Sequence, residues 1–162
     1  MREYPREHAR AELVGIAETQ GSGAAELPGS IKNCPVELYA EGTERAIYSG
    51  IVQRAQSQEE NGYRLLCLEL GSGSLWMDME KEKRTFQDIS MTYGQVITKI
   101  ASESGMMALY PRLLDETAIG FLVIQYRETD WEFIRRLASR FGMAVYPETT
   151  LGGGKVTVDL PQ

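Results

Sequence analysis

Glu128, Asp130 and Glu132 stand close together beside Tyr126 and Trp131, within VIQYRETDWEFIRRLASRFGMAVYP, residues 123–147. Two carboxyl groups flanking a cleft are what glycoside hydrolysis requires, and aromatic rings beside them could stack on a sugar. The same residues also have a structural reading. Thr129 and Glu132 match a capping box, in which each side chain takes the other residue's unpaired amide. Asp130 and Glu132 put negative charge at the start of a helix, and Arg135, Arg136 and Arg140 put positive charge toward its end, so both ends complement the helix dipole. Phe133, Ile134, Leu137, Ala138 and Phe141 form one apolar face. An aromatic at a helix start, such as Trp131, packs against a neighbouring strand or subunit. The acids thus have a structural cause, and a carboxylate hydrolase acting on cell wall stays a third reading that would need two acids in a cleft.

Other chemistries find less support. The one histidine, His8, lies in a charged N-terminal segment and is read as solvated or as an edge-strand residue, a poor place to hold a general base. One His and two widely spaced Cys match no zinc spacing, and the mixed run DMEKEKR (78–84) is no calcium loop. TLGGGKV (150–156) lacks the first Gly and the Ser/Thr of a phosphate loop and reads as a glycine turn. Cys34 and Cys67 read as buried free thiols, with a disulfide between them as the alternative. No catalytic residue, cofactor or metal is expected.

The totals agree with a globular protein that binds or builds. A chain of 162 residues buries about 70% of its unfolded surface, enough for a core without staples. The formal net charge of -6 gives no footprint for nucleic acid or anionic lipid. No run of 18 apolar residues predicts a membrane helix, and MREYPREHAR is no secretory signal.

Those residues must be positioned by two kinds of element. Up to residue 91 the pattern is of strands: 11–18, a hairpin of 35–41 and 45–55, a polar turn at 57–62, then 63–71, 75–81 and 83–90. LWMDMEK (75–81) alternates, with Leu75, Met77 and Met79 on one side. TQGSGAAELPGS after the first strand is a loop. Strands at this spacing predict an antiparallel β-barrel or sandwich. From residue 92 the period changes to that of a helix, with Tyr93, Val96, Ile97, Ile100 and Ala101 on one face, a Thr92–Gln95 box and Gly105 as the stop. GMMALYP (105–111) and GMAVYP (142–147) each follow a capped helix, and GGGKVTVDLPQ adds a last strand. The expected fold is therefore α+β: a β-barrel over 1–91 and a small α/β subdomain with two capped helices over 92–162.

IQYRETDWEFIRRLASRFGMAVYP closely resembles a segment of the phage late control D family, the baseplate hub proteins of contractile tails, related to the spike protein of type VI secretion. The family pattern Q-Y-x-E-[ST]-D-x-x-F-[LIV]-x-R-L-A falls on Gln125, Tyr126, Glu128, Thr129, Asp130, Phe133, Ile134, Arg136, Leu137 and Ala138, with Trp131 inside it. EHARAELVGI, AIYSGIV and RTFQDISMTYGQVI agree with three further family stretches in the same order. The resemblance implies a non-enzymatic scaffold of small barrels, assembling as a homotrimer between tail tube and spike in a virion tail or injection apparatus. It implies manufacture in the bacterial cytoplasm. The chain departs from the pattern by starting near EHAR and ending near DLPQ, which reads as a truncated or split subunit. The alternative is a non-catalytic β-barrel module that binds glycan or another ligand through Tyr63, Trp76 or Trp131.

Overall fold

A computed structural model describes residues 8–17, 31–60, 63–150 and 154–160. The predicted loop over 19–30 and the glycines at 152 and 153 lie outside them. Strands β1 (Arg10–Ala17), β2 (Pro35–Tyr39), β3 (Ala46–Glu60) and β4 (Tyr63–Ser72) form one antiparallel sheet in the order β1-β4-β3-β2. The predicted hairpin is β2–β3, turning through Gly42 at φ 75° with Thr43 donating its amide to the Ala40 carbonyl at 3.0 Å. The predicted polar turn at 57–62 is mostly strand instead. Register with β4 continues to the Glu60–Tyr63 pair, so the ladder keeps those backbone groups bonded despite their polar side chains. Irregularities at Leu38/Tyr39 and Val52/Arg54 bend the strands. Among the described residues the result is a curled half-barrel, open at β1 and β2.

The sheet has a small core of Tyr48, Val52, Leu68 and Leu70, with Val36, Leu38 and Leu66 packed against it. Gly50 is a close-approach position: a Cβ there would lie 2.2 Å from the Gly71 carbonyl oxygen. Both cysteines are free. Cys34 is exposed rather than buried, because it sits just before the edge strand β2, where half the surroundings are solvent. Cys67, on the central strand β4, is half-buried.

LWMDMEK is not a strand. Gly73–Asp78 winds into a 3₁₀ turn that buries Met77 and leaves Met79 47% exposed. A seven-residue alternation cannot distinguish a strand from a turn that buries only one of its three alternating apolar side chains. The next strand, β5 (Lys81–Phe86), pairs antiparallel with β7 (Val123–Thr129) and not with the first sheet.

Helices α1 (Tyr93–Glu103) and α3 (Asp130–Ser139) each carry both hydrogen bonds of a capping box, at Thr92–Gln95 and Thr129–Glu132. A five-residue helix, α2 (Arg112–Glu116), was not expected; Pro111 stands at its N-cap. Gly105 (φ 70°) and Gly142 (φ 69°) close α1 and α3. After each glycine a methionine amide reaches back, Met106 to Ala101 at 2.8 Å and Met143 to Ala138 at 3.1 Å, which satisfies a late helical carbonyl. Strands β6 (Met107–Leu109) and β8 (Ala144–Glu148) then flank β9 (Lys155–Asp159), one parallel and one antiparallel. The two sequence echoes are thus two helix–glycine–strand units whose strands run in opposite senses on either side of β9. The larger core, with Val96, Ile97, Ile100, Phe133, Ile134 and Leu137 at 0% exposure, lies among these elements. No helix among the described residues is long and apolar enough to cross a membrane.

Candidate functional site

Strand β7 feeds directly into α3, and an irregularity prepares the junction. Glu82 faces Glu128 and Lys83 faces Tyr126, so Arg127 is the extra residue of a bulge, at φ 55°. Before the bulge the strand alternates: Gln125 is wholly buried and Tyr126 is 61% exposed. After it, Thr129 takes the extended conformation of an N-cap.

The buried side chains meet in one network. Gln125 Nε2 donates to Asp130 Oδ1 at 2.9 Å and to the Glu128 carbonyl at 3.1 Å. Arg84 Nη1 donates to Gln125 Oε1 at 2.9 Å and also to Asp130 Oδ1. Ser104 Oγ donates to Asp130 Oδ2 at 2.8 Å, and Arg84 Nε meets Glu103 at 3.0 Å. These bonds tie β5, β7, the start of α3 and the end of α1 together. Arg136 grips Glu128 with two bonds of 2.8 Å and donates to the Ile124 carbonyl at 2.7 Å. The Thr129 hydroxyl accepts from the Glu132 amide at 3.1 Å and donates to Asp78, while Glu132 takes the Thr129 amide at 3.0 Å.

Each acid of the opening stretch is therefore committed: Glu128 to Arg136, Asp130 to Arg84, Gln125 and Ser104, Glu132 to the helix cap. Paired, charge-assisted bonds of this kind fix geometry. Trp131, Phe133 and Leu137 are buried, and Phe133 stacks on Phe86 with ring centres 5.8 Å apart. Tyr126 stands outside the network, flanked by the cations of Lys83 and Arg127, each 5.8 Å from its ring. Sequence reasoning missed Arg84, Ser104 and Asp78. For Arg84 a signal existed: it shares the inward side of β5 with Phe86 at a spacing of two.

His8 is not solvated. Its ring lies 4.5 Å from that of Trp131, with Nδ1 2.9 Å from Ser74 Oγ and Nε2 3.2 Å from Asp78 Oδ2. Ser74 is 1% exposed and its hydroxyl also meets that of Ser72 at 2.8 Å. The three residue types are those of a nucleophilic triad, yet Ser74 lines neither cleft described below. Buried in this way, the group tethers the chain before β1 to the 3₁₀ turn and to α3. Burial lowers the His8 pKa below 6.5, with Arg10 and Arg135 adding to the effect and Asp78 opposing it. With a lowered folded-state pKa, the unfolded chain takes up the proton first. The stability contributed by neutral His8 is complete above pH 6.5 and is lost as pH falls through 6.5 toward the folded-state value. The thermal midpoint is expected to fall further between about pH 7.5 and about pH 5.5 in the unmodified chain than in His8→Gln. Equal falls would exclude His8 as the cause.

Among the described residues no group of three or more His, Cys, Asp or Glu is placed to hold a metal. Two clefts stand out among the described residues. One, of about 610 Å³, lies between the first sheet and the end of α1 and is lined by Glu37, Ser49, Trp76 and Met106. The other, of about 830 Å³, runs along α3 beside the bulge and reaches the first residues of β8.

The arrangement of strands, bulge and capped helix falls within residues 11–159, and over that span the chain matches the family model described as Phage tail baseplate hub (GPD). The chain belongs to the Phage tail baseplate hub family. The chain shares its fold with the tail protein from Neisseria meningitidis MC58, at a TM-score of 0.65 and 16% identity, covering 93% of this chain and 41% of that one. It shares it also with the 43 kDa tail protein of prophage MuSo2 from Shewanella oneidensis, at a TM-score of 0.63 and 13% identity, covering 93% of this chain and 43% of that one. The chain thus spans about two-fifths of the length of each. No curated protein sequence matches it.

Proposed function

We propose that this chain is a non-catalytic structural component of the baseplate hub in a phage or prophage tail, or in a tail-like injection apparatus. In this reading it assembles as a homotrimer between tail tube and spike. The observation that carries the reading is the family match over residues 11–159, joined to a motif whose acids are all engaged in holding β5, β7, α1 and α3 together. The first sheet, β1–β4, acts as the barrel-forming unit, and the elements from the 3₁₀ turn and β5 onward act as the α/β unit that braces it. The half-barrel supports assembly with copies or neighbours. Among the described residues both of its edges are open, and Val14, Ile16 and Ile47 are more than half exposed on it. Sheet edges with apolar side chains are templates for pairing with another chain.

The test is solution mass by light scattering, alone and with tail-tube protein. A trimer, or a stable complex with tube protein, is expected. A monomer that ignores tube protein at high concentration would refute the reading.

One observation favours a second reading, glycan binding: Trp76 is 43% exposed in the 610 Å³ cleft that Glu37 and Ser49 also line. Trp131 plays no part in it, since the ring is 2% exposed beneath His8. Binding on a glycan array that Trp76→Ala abolishes would support this reading.

A further inference from the structure

The cleft along α3 has a charge opposite to that of the whole chain. The net charge of the protein is -6, yet this groove of about 830 Å³ is lined by Lys81, Arg127, Arg135 and Arg136 against Glu128 and Glu132. Both acids are already occupied, Glu128 by the two bonds from Arg136 and Glu132 by the amide of Thr129. Lys81, Arg127 and Arg135 have no ion-pair partner among the described residues.

Arg127 adds a second observation. It is the bulged residue of β7, at φ 55°, a conformation that glycine or asparagine adopts with less strain. Bulges re-aim a side chain, and the bulged Arg127 is one of the residues lining the groove. The third observation is the strand beside it. Ala144 and Val145 of β8 line the groove, and β8 is the outer strand of its sheet, paired with β9 alone among the described residues. An extended backbone laid there has a strand edge to pair with, and its carboxylates have forked donors to meet.

We propose that this groove binds an extended, acidic segment of a partner protein. Nucleic acid fits less well. The chain is acidic overall, and no aromatic ring among the described residues lines the groove to stack a base. The inference stands apart from the hub assignment, because it concerns one folded chain and does not require a trimer.

The test is fluorescence anisotropy with a labelled oligoglutamate peptide, compared with its oligoglutamine analogue and with oligothymidylate of equal charge. The oligoglutamate is expected to bind, with affinity falling steeply as salt rises. Arg127→Gly should weaken it about tenfold, and Arg127→Gly with Arg135→Ser further still. Arg127→Gly relieves the backbone strain, so its melting temperature should match or exceed that of the unmodified chain, and a weaker signal then reports the lost cation. The proposal is overturned if the oligoglutamate fails to bind, if the glutamine peptide binds equally well, or if the variants bind as before. Tighter binding of the oligothymidylate would overturn it in favour of a phosphate ligand. Light scattering with tube protein reads the hub assignment separately, so failure of one is not failure of the other.

Discussion

Asp130→Ala is expected to remove about 3 kcal/mol of folding stability, the lower end of the range for breaking a buried ion pair. The Asp130 side chain is 8% exposed and accepts from three side chains on three other elements: Arg84, Gln125 and Ser104. Without it, Arg84 keeps Glu103 at 3.0 Å and stays 22% open to solvent, so its charge is not stranded completely. Gln125 is worse placed. It is wholly buried and retains for its amide nitrogen a single acceptor, the Glu128 carbonyl. For a chain of this size the loss corresponds to a fall of about 6–12 °C in the melting midpoint. Asp130→Asn keeps the shape and one acceptor, so it should lose less. Urea unfolding of the two variants measures both. A loss for Asp130→Ala of well under about 1 kcal/mol would place the pair with exposed salt bridges and deny the network its structural role.

Phe133→Ala should cost more, about 4 kcal/mol, and the reason is packing alone. Phe133 is fully buried, its ring stacks on Phe86 at 5.8 Å, and the Arg136 guanidinium covers it at 5.0 Å. Truncation opens a void between α3 and β5 that rigid neighbours cannot fill. Phe133→Leu keeps most of the volume and should cost below about 1.5 kcal/mol. If both variants unfold at the same urea concentration, the site collapses around smaller side chains and the packing argument fails.

Parts of this structure were legible in the sequence where the signal spans a few residues. Thr92 with Gln95 and Thr129 with Glu132 announce two helix starts, because each box closes within one turn. Gly105 and Gly142 announce the ends, because both sit at positive φ. The β2–β3 hairpin follows from Gly42 in the same way. Illegible were the features set by partners far along the chain. Arg84 reads as a surface charge until β5 is laid against β7, where Gln125 lies directly opposite it. His8 reads as solvated until α3 brings Trp131 beneath its ring. Leu75, Met77 and Met79 alternate like a strand, but only Met77 goes into the core, where the 3₁₀ turn directs it. Within the motif itself, the cap was readable from Thr129 and Glu132, whereas the pairing of Asp130 with Arg84 and Ser104 was not.

The order of strands β6, β9 and β8 governs how the second half can fold during synthesis. The middle strand is the last of the three to be made, so β6 and β8 leave the ribosome with nothing between them. Each can dock on its own helix through the glycine turn, but neither has a ladder to join. Until Lys155–Asp159 emerges, their inner edges lack a partner among the described strands, and unpaired edges of this kind invite aggregation. The nascent chain therefore holds two half-built units, and one short insertion joins them into a single sheet.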